Sequence, residues 1–385
     1  MSTLFIHGSA DLYGSAKILL QIVKVCVREK EDVVVILPHH GTLVKELEDL
    51  GIDVCIVNVG VLRRRYFTPW GILGRVMLWL SATYKITRLI KRYSVSTIYI
   101  NSANVILGPI LKWLTGLPLI WHLHEIVENP SILKYFLVRL IEKSNQVIAV
   151  SDATRDFWMK QSTKLNIHLL HNGIPTSDFK HAVSLNDSEF PFTLKNTNNA
   201  ILIAMVGRVQ PWKGQAYFLN IMKSFFDEMK VSELNVYAIM VGDAYPGYEY
   251  YVAELKQSIV DNELGDKVFY IGYRRDIPAI LASIDLLVLP SLLPDPLPTV
   301  VLEAMASGKP VLATLQGGAS EMILEGETGA FMPLDDHKKA AETLRSVLLN
   351  TEKMREMGQK GNQRVNEYFS LEAFESNWLK LFRTF

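Results

Sequence analysis

The sequence has few cysteines and no long unbroken hydrophobic run. Its two cysteines, Cys26 and Cys55, each lie in an apolar stretch, so we expect buried thiols in a reducing compartment rather than a disulfide. The most apolar long stretch, residues 67–93, is interrupted by Arg75 and Lys85, whereas a membrane-spanning helix needs about 20 nearly unbroken apolar residues. The start, MSTLFIHG, lacks the basic region of a signal peptide. The sequence therefore predicts no disulfide, no spanning helix and a cytoplasmic location.

The sequence also lacks a net charge, because 40 basic residues balance 40 acidic ones. Acidic residues are absent between Asp53 and Glu125. The basic residues of that window are Arg63, Arg64, Arg65, Arg75, Lys85, Arg88, Lys91, Arg92 and Lys112. Tryptophans lie among them, as on an interfacial amphipathic helix, so residues 63–92 are predicted to bind an anionic membrane surface. Ordinary helices with solvated basic faces are the alternative, and without a recognised motif no nucleic acid partner is expected.

The chain length favours two domains of about 150 to 200 residues each. Short apolar runs alternate with helical patterns in both halves, for example DVVVILP and QVIAV in the first and AILIAMVG and DLLVLP in the second. Strands that are apolar throughout and separated by helices are typical of parallel sheets covered on both faces. We therefore predict an α/β protein with two Rossmann-like, doubly wound domains, and a ligand cleft along the carboxyl ends of their strands.

Changes in composition predict the domain boundaries. Residues 1–175 form the first predicted domain, the polar and irregular residues 176–199 a linker, and residues 200–368 the second domain. Residues 369–385 have the pattern of an amphipathic helix, with Ser370 as its N-cap. This helix could complete the second domain or cross back to the first.

A proline-rich stretch, PSLLPDPLPTVVLEAMASGKPV at residues 290–311, joins a predicted strand to a predicted helix. Pro298 suits the first helical position, and the N–H groups after it are expected to be free at the positive end of the helix dipole. These N–H groups belong to Thr299, Val300 and Val301. Such a helix end binds anions, phosphate above all. Glu303 lies one turn further and can accept hydrogen bonds from ribose hydroxyls. Asp295 lies before the helix, where it could reach a group beyond the diphosphate. This order predicts a nucleotide diphosphate that carries a further group as the ligand.

This stretch resembles the donor-site signature of retaining glycosyltransferase family 4, also called glycosyl transferases group 1, whose fold is GT-B and in which two glutamates stand eight residues apart. Further similar stretches are VIAVSDATRD (147–156), HNGI (171–174), VGRVQPWKG (206–214), FYIGYRRDIPAILASIDLLVLPS (269–291) and GGASEMILEGETG (317–329). Several motifs in family order over most of the chain make the resemblance specific. It implies sugar transfer from a nucleotide diphosphosugar with retained anomeric configuration, without a metal or other cofactor.

The resemblance implies roles for residues of the second half. Glu303 corresponds to the ribose-binding glutamate, and Asp295 to the residue that contacts the hydroxyls of the donor sugar. Arg208 and Lys213 correspond to cations that stabilise the negative charge growing on the departing diphosphate. The other residues implied at the donor are Arg274, Leu297, Pro298, Thr299 and Val300. In this sequence Asp295 replaces the usual glutamate, and DPLP replaces the usual Glu-Gly-Phe-Gly loop. These two differences from the family bear most on which sugar the donor carries.

Two motifs of the first half complete the predicted site. HGSADLYGSAKILL contains Gly14, whose N–H is expected near the diphosphate together with that of Ser15, although the family carries two adjacent glycines here and an eased turn is the alternative. LPLIWHLHEI ends a strand with His122 and His124. The resemblance assigns His124 to the donor sugar near the reacting centre and leaves His122 as a supporting residue. A zinc site is not expected, because a third suitably spaced ligand is missing.

The predicted activity is hexosyl transfer to a saccharide or lipid-linked saccharide acceptor in surface polysaccharide or lipopolysaccharide synthesis, from a UDP-sugar in preference to a GDP-sugar. The predicted catalytic residues are His124, Arg208, Lys213 and Asp295. No residue has the pattern of a dedicated nucleophile, and the resemblance implies a front-face substitution in which the departing phosphate helps to deprotonate the acceptor hydroxyl. The predicted location is the cytoplasm, peripheral at the inner membrane face. The alternatives are a GT-B nucleotide-sugar epimerase and a nucleotide-sugar-binding protein without turnover.

Overall fold

The computed structural model describes residues 2–12, 14–62, 68–128, 130–185, 190, 200–228 and 234–384. The chain forms two compact units: the first comprises Met1–Gly173 and Phe374–Phe385, and the second comprises Ile174–Ala373. Each unit contains one sheet, and every strand pair within the two sheets is parallel. The two Rossmann-like domains predicted from the sequence are therefore confirmed.

The first unit alternates strands and helices along the chain. The elements are β1 Ser2–Ile6, α1 Gly14–Arg28, β2 Asp32–Leu37, α2 Thr42–Glu48, β3 Asp53–Ile56, α3 Pro69–Arg92, β4 Thr97–Ile100, α4 Gly108–Thr115, β5 Leu119–Leu123, α5 Ser131–Ile141, β6 Gln146–Ala149, α6 Asp152–Met159 and β7 Ile167–Leu169. Its strand order is β3-β2-β1-β4-β5-β6-β7. The short edge strand β7 was not predicted from the sequence.

Both faces of this sheet are covered, which explains the uninterrupted apolar strands. Along β1, Leu4 and Ile6 belong to a core that also contains buried residues of α3 to α6, whereas Phe5 between them belongs to the core on the opposite face, with α1 and α2. Because neighbouring side chains of a strand point to opposite faces, a sheet buried on both sides needs apolar residues at every position.

The second unit has the same alternation. Its elements are α7 Thr176–Lys180, β8 Ala200–Val206, α8 Gln215–Glu228, β9 Asn235–Val241, α9 Tyr250–Asp261, β10 Val268–Gly272, α10 Ile277–Ser283, β11 Leu286–Leu289, α11 Thr299–Ala306, β12 Val311–Thr314, α12 Ala319–Met322, β13 Gly329–Met332, α13 His337–Leu348 and α14 Thr351–Tyr368. The strand order is β10-β9-β8-β11-β12-β13. Helix α7 lies at the start of the segment predicted to be an irregular linker, and β13 was not predicted.

A last helix, α15 (Leu371–Phe382), begins in the second unit and ends in the first. Its Phe374 and Trp378 are almost fully buried in the core that also contains the buried residues of α1 and α2. The amphipathic pattern of the C-terminal residues is thus explained by packing against the first sheet. Cys26 lies in the same core, and neither it nor the half-buried Cys55 forms a disulfide.

Each sheet has a point at which the strand order reverses. In the first unit this point lies between β1 and β4, and in the second it lies between β8 and β11. The loops after these adjacent strands run in opposite directions, which leaves a crevice at the carboxyl ends where ligands of such sheets bind. Among the predicted site residues, Gly14, Ser15 and His124 belong to the first unit and the remainder to the second.

Candidate active site

The loop after β8 carries the two predicted cations of the second unit. The Arg208 guanidinium stacks on Tyr245, with Cζ 3.3 Å from the ring centroid, and the backbone oxygen of Arg208 accepts a hydrogen bond from Gln215 Nε2 at 2.8 Å. A 3₁₀ turn, Pro211–Lys213, then leads to Gly214, whose φ is +82°. A Cβ at this position would overlap the carbonyl oxygen of Pro290. Glycine therefore lets the loop after β8 lie directly against the end of β11.

That close approach brings Lys213 and Asp295 together. Lys213 Nζ donates a hydrogen bond to Asp295 Oδ2 in an ion pair, although the two residues are 82 positions apart. The side chains of Lys213 and Asp295 are 18% and 13% exposed, so the pair is largely shielded from water. The ammonium also lies 4.4 Å from the centroid of the Trp212 ring. A cation shielded in this way acts more strongly on a nearby anion than a solvated one does.

The loop after β11 leads to the start of α11. Leu297 and Pro298 are buried, and they hold the first turn of the helix against the unit. The N–H of Val301 donates to the oxygen of Pro298 at 3.0 Å, so the prediction that this N–H is free is wrong. The N–H groups of Thr299 and Val300 have no hydrogen-bond partner among the described residues. The helix therefore offers two free donors, not three, at its positive end.

Glu303 lies one turn into α11 and is half-buried. Its backbone oxygen accepts hydrogen bonds at 3.0 Å from both the N–H and the Oγ of Ser307, which close the C-terminal turn of this short helix. Its side chain is thus carried by a helix that is itself fixed at both ends. Glu303 and the two free N–H groups belong to one helix, as the helical spacing of PTVVLEAMASG predicted.

Two glycines that sequence analysis did not assign to the site shape the loop around Asp295. Gly317 has a φ of +59°, and a Cβ there would overlap the backbone of Asp295. The N–H of Gly318 donates to the oxygen of Asp295 at 2.7 Å, and a Cβ at Gly318 would overlap the oxygen of Pro296. The doublet GG in the loop after β12 was the available signal, since adjacent glycines mark a close backbone approach.

Arg274, after β10, is held by an acidic neighbour. Its Nε and one terminal nitrogen donate to the two carboxylate oxygens of Asp276 at 2.8 and 2.5 Å. These hydrogen bonds lower the pKa of Asp276 below its usual value, and the charge of the guanidinium adds to the effect. Arg274 is therefore pre-oriented, but none of its described hydrogen bonds links it to Lys213 or Asp295.

Histidines and an asparagine occupy the corresponding point of the first unit. His7 follows β1, Asn101 follows β4 and His124 follows β5. Asn101 Oδ1 lies 2.9 Å from His124 Nε2, and the backbone oxygen of Asn101 lies 2.9 Å from His7 Nδ1. The rings of His122 and His124 pack with centroids 4.1 Å apart, and His122 Nδ1 lies 2.9 Å from the hydroxyl of Tyr99. His124 is thus part of a packed polar cluster, of which sequence analysis identified only the two neighbouring histidines.

Burial keeps these histidines neutral. It lowers the pKa of His7 to about 4 and that of His122 to about 3. Burial also lowers the pKa of His124 well below its usual value, and the neighbouring His122 and His7 contribute. Desolvation disfavours the charged form of an imidazole, so these side chains act as neutral hydrogen-bonding groups.

Glu125 is the acidic residue of this region. Its carboxylate accepts hydrogen bonds from Ser102 Oγ at 2.6 Å, from the N–H of Ala103 at 2.9 Å and from the N–H of His124 at 3.2 Å. Burial raises the pKa of Glu125, whereas these hydrogen bonds lower it and only partly compensate. Glu125 joins the loops after β4 and β5 and thereby supports the backbone of His124.

The predicted glycine turn lies at the start of α1. Gly14 is the first residue of the helix, has a φ of +31°, and has open space where a Cβ would lie. The backbone oxygen of Ser15 accepts a hydrogen bond from Asn101 Nδ2 at 2.9 Å. Gly14 and Ser15 are therefore fixed relative to His124 through Asn101, a residue that no sequence motif singled out.

The predicted basic window is only partly described. Arg63, Arg64 and Arg65 lie outside the described residues, whereas most of the remainder forms α3. Among the helices that the structure describes, none has the length and hydrophobicity required to cross a bilayer.

Two family descriptions match the chain, one for each unit. "Glycosyltransferase Family 4" matches residues 13–178, and "Glycosyl transferases group 1" matches residues 186–364. Together they cover nearly all of the chain.

Similar proteins and structures agree with these matches. The Escherichia coli UDP-Gal:alpha-D-GlcNAc-diphosphoundecaprenol alpha-1,3-galactosyltransferase is 27% identical over 340 residues, which cover 84% of this chain and 82% of that protein. The Salmonella typhimurium lipopolysaccharide 1,2-N-acetylglucosaminetransferase is 25% identical over 215 residues, which cover 55% and 52%. The crystal structure of Anabaena Alr3699/HepE in complex with UDP has a TM-score of 0.83 and 25% identity, with full coverage of both chains. The chain belongs to glycosyltransferase family 4, with the GT-B fold, and is a glycosyltransferase.

Proposed function

We propose that the protein transfers a sugar from a UDP-sugar to a lipid-linked saccharide acceptor, with retention of anomeric configuration and without a metal. The observation that carries this proposal is the grouping, at the strand-order reversal of the second unit, of the Lys213–Asp295 ion pair with the free N–H groups of α11. Cations and helix N–H groups are the donors that a diphosphate requires. The structure of Alr3699/HepE in complex with UDP-glucose supports the choice of nucleotide.

Different residues then bind different parts of the donor. The N–H groups of Thr299 and Val300 bind the diphosphate, and Glu303, one turn along the same helix, accepts hydrogen bonds from the ribose hydroxyls. Asp295, which is held by Lys213, accepts a hydrogen bond from a hydroxyl of the donor sugar. Asp295 is shorter by one methylene than a glutamate, so it suits a hydroxyl that lies close to the loop. A fixed carboxylate discriminates among epimeric sugars by which hydroxyl it can reach.

Arg208 and Lys213 supply the positive charge for the chemical step. As the bond from the anomeric carbon to the diphosphate breaks, negative charge grows on the phosphate oxygen, and both cations stabilise it more than they stabilise the bound donor. The acceptor oxygen bonds to the anomeric carbon on the same face, and its proton passes to the departing phosphate. This substitution requires positioning and electrostatic stabilisation but no metal.

A donor panel tests this proposal directly. The protein is incubated with UDP-, GDP- and ADP-sugars, with and without an undecaprenyl diphosphate saccharide, and released nucleotide is measured. We expect release from a UDP-sugar, an α-linked product by NMR from an α-linked donor, and an unchanged rate with EDTA. A β-linked product contradicts retention, and loss of activity with EDTA that Mg²⁺ restores contradicts metal independence. If no nucleotide sugar is bound or turned over, the proposal of transfer fails.

The acceptor side of the proposal rests on three helices of the first unit. Helices α3, α4 and α5 pack on the same face of the first sheet, with their inner residues in one core. On their outer sides Trp70 is 83% exposed, Trp113 82% and Ile132 77%. The other exposed large apolar residues of these helices are Ile72, Leu73, Val76, Met77, Leu80, Tyr84, Ile110, Leu114, Tyr135 and Phe136. So many apolar side chains on one face mark an interaction surface.

The charge of these helices indicates what binds there. Acidic residues are absent from α3, α4 and α5. Their basic residues are Arg75, Lys85, Arg88, Lys91, Arg92, Lys112, Lys134 and Arg139. Exposed aromatic and aliphatic residues among basic ones suit the boundary of an anionic bilayer, where each basic residue adds about 1 kcal/mol. We propose that this three-helix surface binds the inner membrane from its cytoplasmic side. The UDP-Gal:alpha-D-GlcNAc-diphosphoundecaprenol transferase named above supports a lipid-diphosphate acceptor.

Vesicle flotation tests the membrane proposal. We expect binding to vesicles of phosphatidylglycerol and phosphatidylethanolamine and little binding to phosphatidylcholine alone. The triple variant Trp70→Ser, Trp113→Ser, Ile132→Ser should weaken binding at least about 10-fold, since burial of one large apolar side chain contributes about 1.5–3 kcal/mol. Tyr250→Ser, which changes an exposed aromatic residue of the second unit, is the matched control. Equal recovery of the triple variant and the wild type contradicts the proposal, and so does binding to neither lipid.

A further inference from the structure

Asn101 contacts both segments of the first unit that carry predicted site residues, namely Ser15 and His124. It follows β4 at the point where the strand order reverses, and its side chain is fully buried. It contacts three other segments through three of its polar atoms. Oδ1 lies 2.9 Å from His124 Nε2, Nδ2 donates to the oxygen of Ser15 at 2.9 Å, and the backbone oxygen lies 2.9 Å from His7 Nδ1.

These contacts fix the orientation of the carboxamide. The backbone oxygen of Ser15 can only accept a hydrogen bond, so the NH₂ group of Asn101 must face it. The carboxamide oxygen then faces His124, and because this oxygen can only accept, His124 Nε2 must carry the hydrogen. A neutral imidazole has one N–H, which leaves His124 Nδ1 as an acceptor.

We propose that Asn101 is a positioning residue of the transfer reaction, which holds His124 as the neutral Nε2–H tautomer and ties the Gly14–Ser15 turn to the same point. This inference rests on the proposed function for its catalytic meaning. A neutral Nδ1 acceptor can take a hydrogen bond from a hydroxyl of the donor sugar, which an imidazolium cannot. The shared anchor also fixes the distance between that acceptor and the backbone of the turn.

The surroundings of His124 favour the neutral form. The titratable groups nearest to it are His122 on β5, His7 after β1 and Glu125 in the following loop, with Tyr99 of β4 bonded to His122. Burial and the two histidines lower the pKa of His124, and Glu125 is already engaged by three donors. The only described side-chain partner of the His124 ring nitrogens is the uncharged Asn101.

Nitrogen NMR measures the tautomer directly. In full-length protein labelled with ¹⁵N-histidine, the His124→Gln variant identifies the signals of His124. We expect a protonated-type shift at Nε2, a non-protonated shift at Nδ1, and no titration between pH 5.5 and 8. An Nδ1–H tautomer, or an imidazolium at pH 7, overturns the proposal. This readout does not depend on turnover, so it separates a failure of this inference from a failure of the transferase proposal.

Asn101→Asp then separates positioning from mere structural support. A carboxylate against His124 stabilises the imidazolium, so both ring nitrogens should become protonated within the assayed pH range. Transfer by the variant should rise with pH and fall about 10²-fold below the wild type at pH 6, an effect typical of a mispositioned group. Asn104→Asp, the same change three residues later, is the matched control and should retain the wild-type profile.

The outcomes distinguish the alternatives. If Asn101→Asp lowers activity by the same factor at every pH and leaves the His124 signals unchanged, Asn101 only supports the fold and the proposal fails. If the variant does not fold, the wild-type spectrum still decides, because the proposal requires the Nε2–H tautomer there.

Discussion

The two units have the same topology at their points of strand reversal but opposite chemistry. Between β1 and β4 the polar groups are buried and neutral, and burial lowers the pKa of His7 to about 4 and that of His122 to about 3. Between β8 and β11 the polar groups are charged, with Lys213 paired to Asp295 and Arg208 stacked on Tyr245. The first unit therefore offers the hydrogen bonds of neutral imidazoles and a carboxamide, whereas the second offers positive and negative charge.

This difference has a physical reason. An unpaired charge inside a protein is costly, so the buried cluster of the first unit uses neutral imidazoles and a carboxamide, whose hydrogen bonds fix directions. The second unit keeps its charges because each has a partner and some access to solvent. Cations of this kind suit a diphosphate on which charge develops during a reaction. Four predictions test whether the two clusters differ in this way.

The largest expected effect is that of removing a cation from the second unit. Lys213→Ala should lower kcat about 10²- to 10³-fold, because it removes a fixed donor for the developing charge. Steady-state transfer assays measure this effect. Lys223→Ala, which alters a partly exposed lysine of α8 paired with Asp227, is the matched control. Asp295→Asn combined with Lys213→Ala should cost less than the sum of the single changes, since the two side chains form one ion pair. A wild-type kcat in Lys213→Ala would show that the charge of Lys213 has only a structural role.

Acid should destabilise the first unit through its neutral histidines. In the unfolded chain a histidine has a pKa of about 6.5, so between about pH 6.5 and 4 the unfolded state binds more protons and stability falls as the pH falls. We expect the free energy of unfolding to be about 1 kcal/mol lower at pH 5.5 than at pH 7 for each of His7 and His122. Six of the seven tryptophans lie in the first unit, so denaturant unfolding followed by tryptophan fluorescence reports on it.

Two variants check the source of this pH dependence. His7→Gln should remove about a third of it, since His122 and His124 remain buried, whereas His40→Gln, which changes an exposed histidine, should leave it intact. An unfolding midpoint that does not move with pH, or that moves equally in the two variants, would contradict the assignment to buried neutral imidazoles.

The third effect concerns donor affinity in the second unit. Glu303→Gln should weaken UDP binding about 10- to 100-fold, because a hydrogen bond to a charged acceptor contributes about 1.5–3 kcal/mol. Isothermal titration calorimetry with UDP measures the loss. Glu327→Gln, an exposed position of the same unit, should bind UDP with wild-type affinity. Equal affinity of the two variants for UDP would show that Glu303 does not bind the nucleotide.

The last prediction compares the glycine beside Asp295 in the second unit with the glycine turn of the first unit. Gly317→Ala should cost about 1–3 kcal/mol more than Gly326→Ala, because both have a positive φ but only Gly317 lies against the Asp295 backbone. In the first unit Gly14→Ala should cost only about 1 kcal/mol, since space is open there. Thermal unfolding measures the differences. Similar losses for Gly317→Ala and Gly326→Ala would show that the close approach to Asp295 is unimportant.

Part of the site could be read from local sequence, and part could not. The motif around Asp295 and Glu303 was readable because a strand, a loop and a helix start follow one another within 14 residues. His124 was readable as the polar end of an apolar strand. Asn101 was not, since an asparagine after a strand has no local signature, and its partners are 94, 86 and 23 positions away. The number of free N–H groups at α11 also depended on a local turn at Pro298 that residue types do not specify.

The sequence by itself determined the alternation of strands and helices, the family and the charge of each motif, because these depend on residue types and short spacings. The tertiary structure decided which loops lie side by side. Strand order places Lys213 against Asp295 and Asn101 against His124, and burial at the same points makes the first pair a shielded ion pair and the second a neutral hydrogen bond. Strand order and burial both depend on segments that are far apart in the sequence. Neither could therefore be predicted from a single segment.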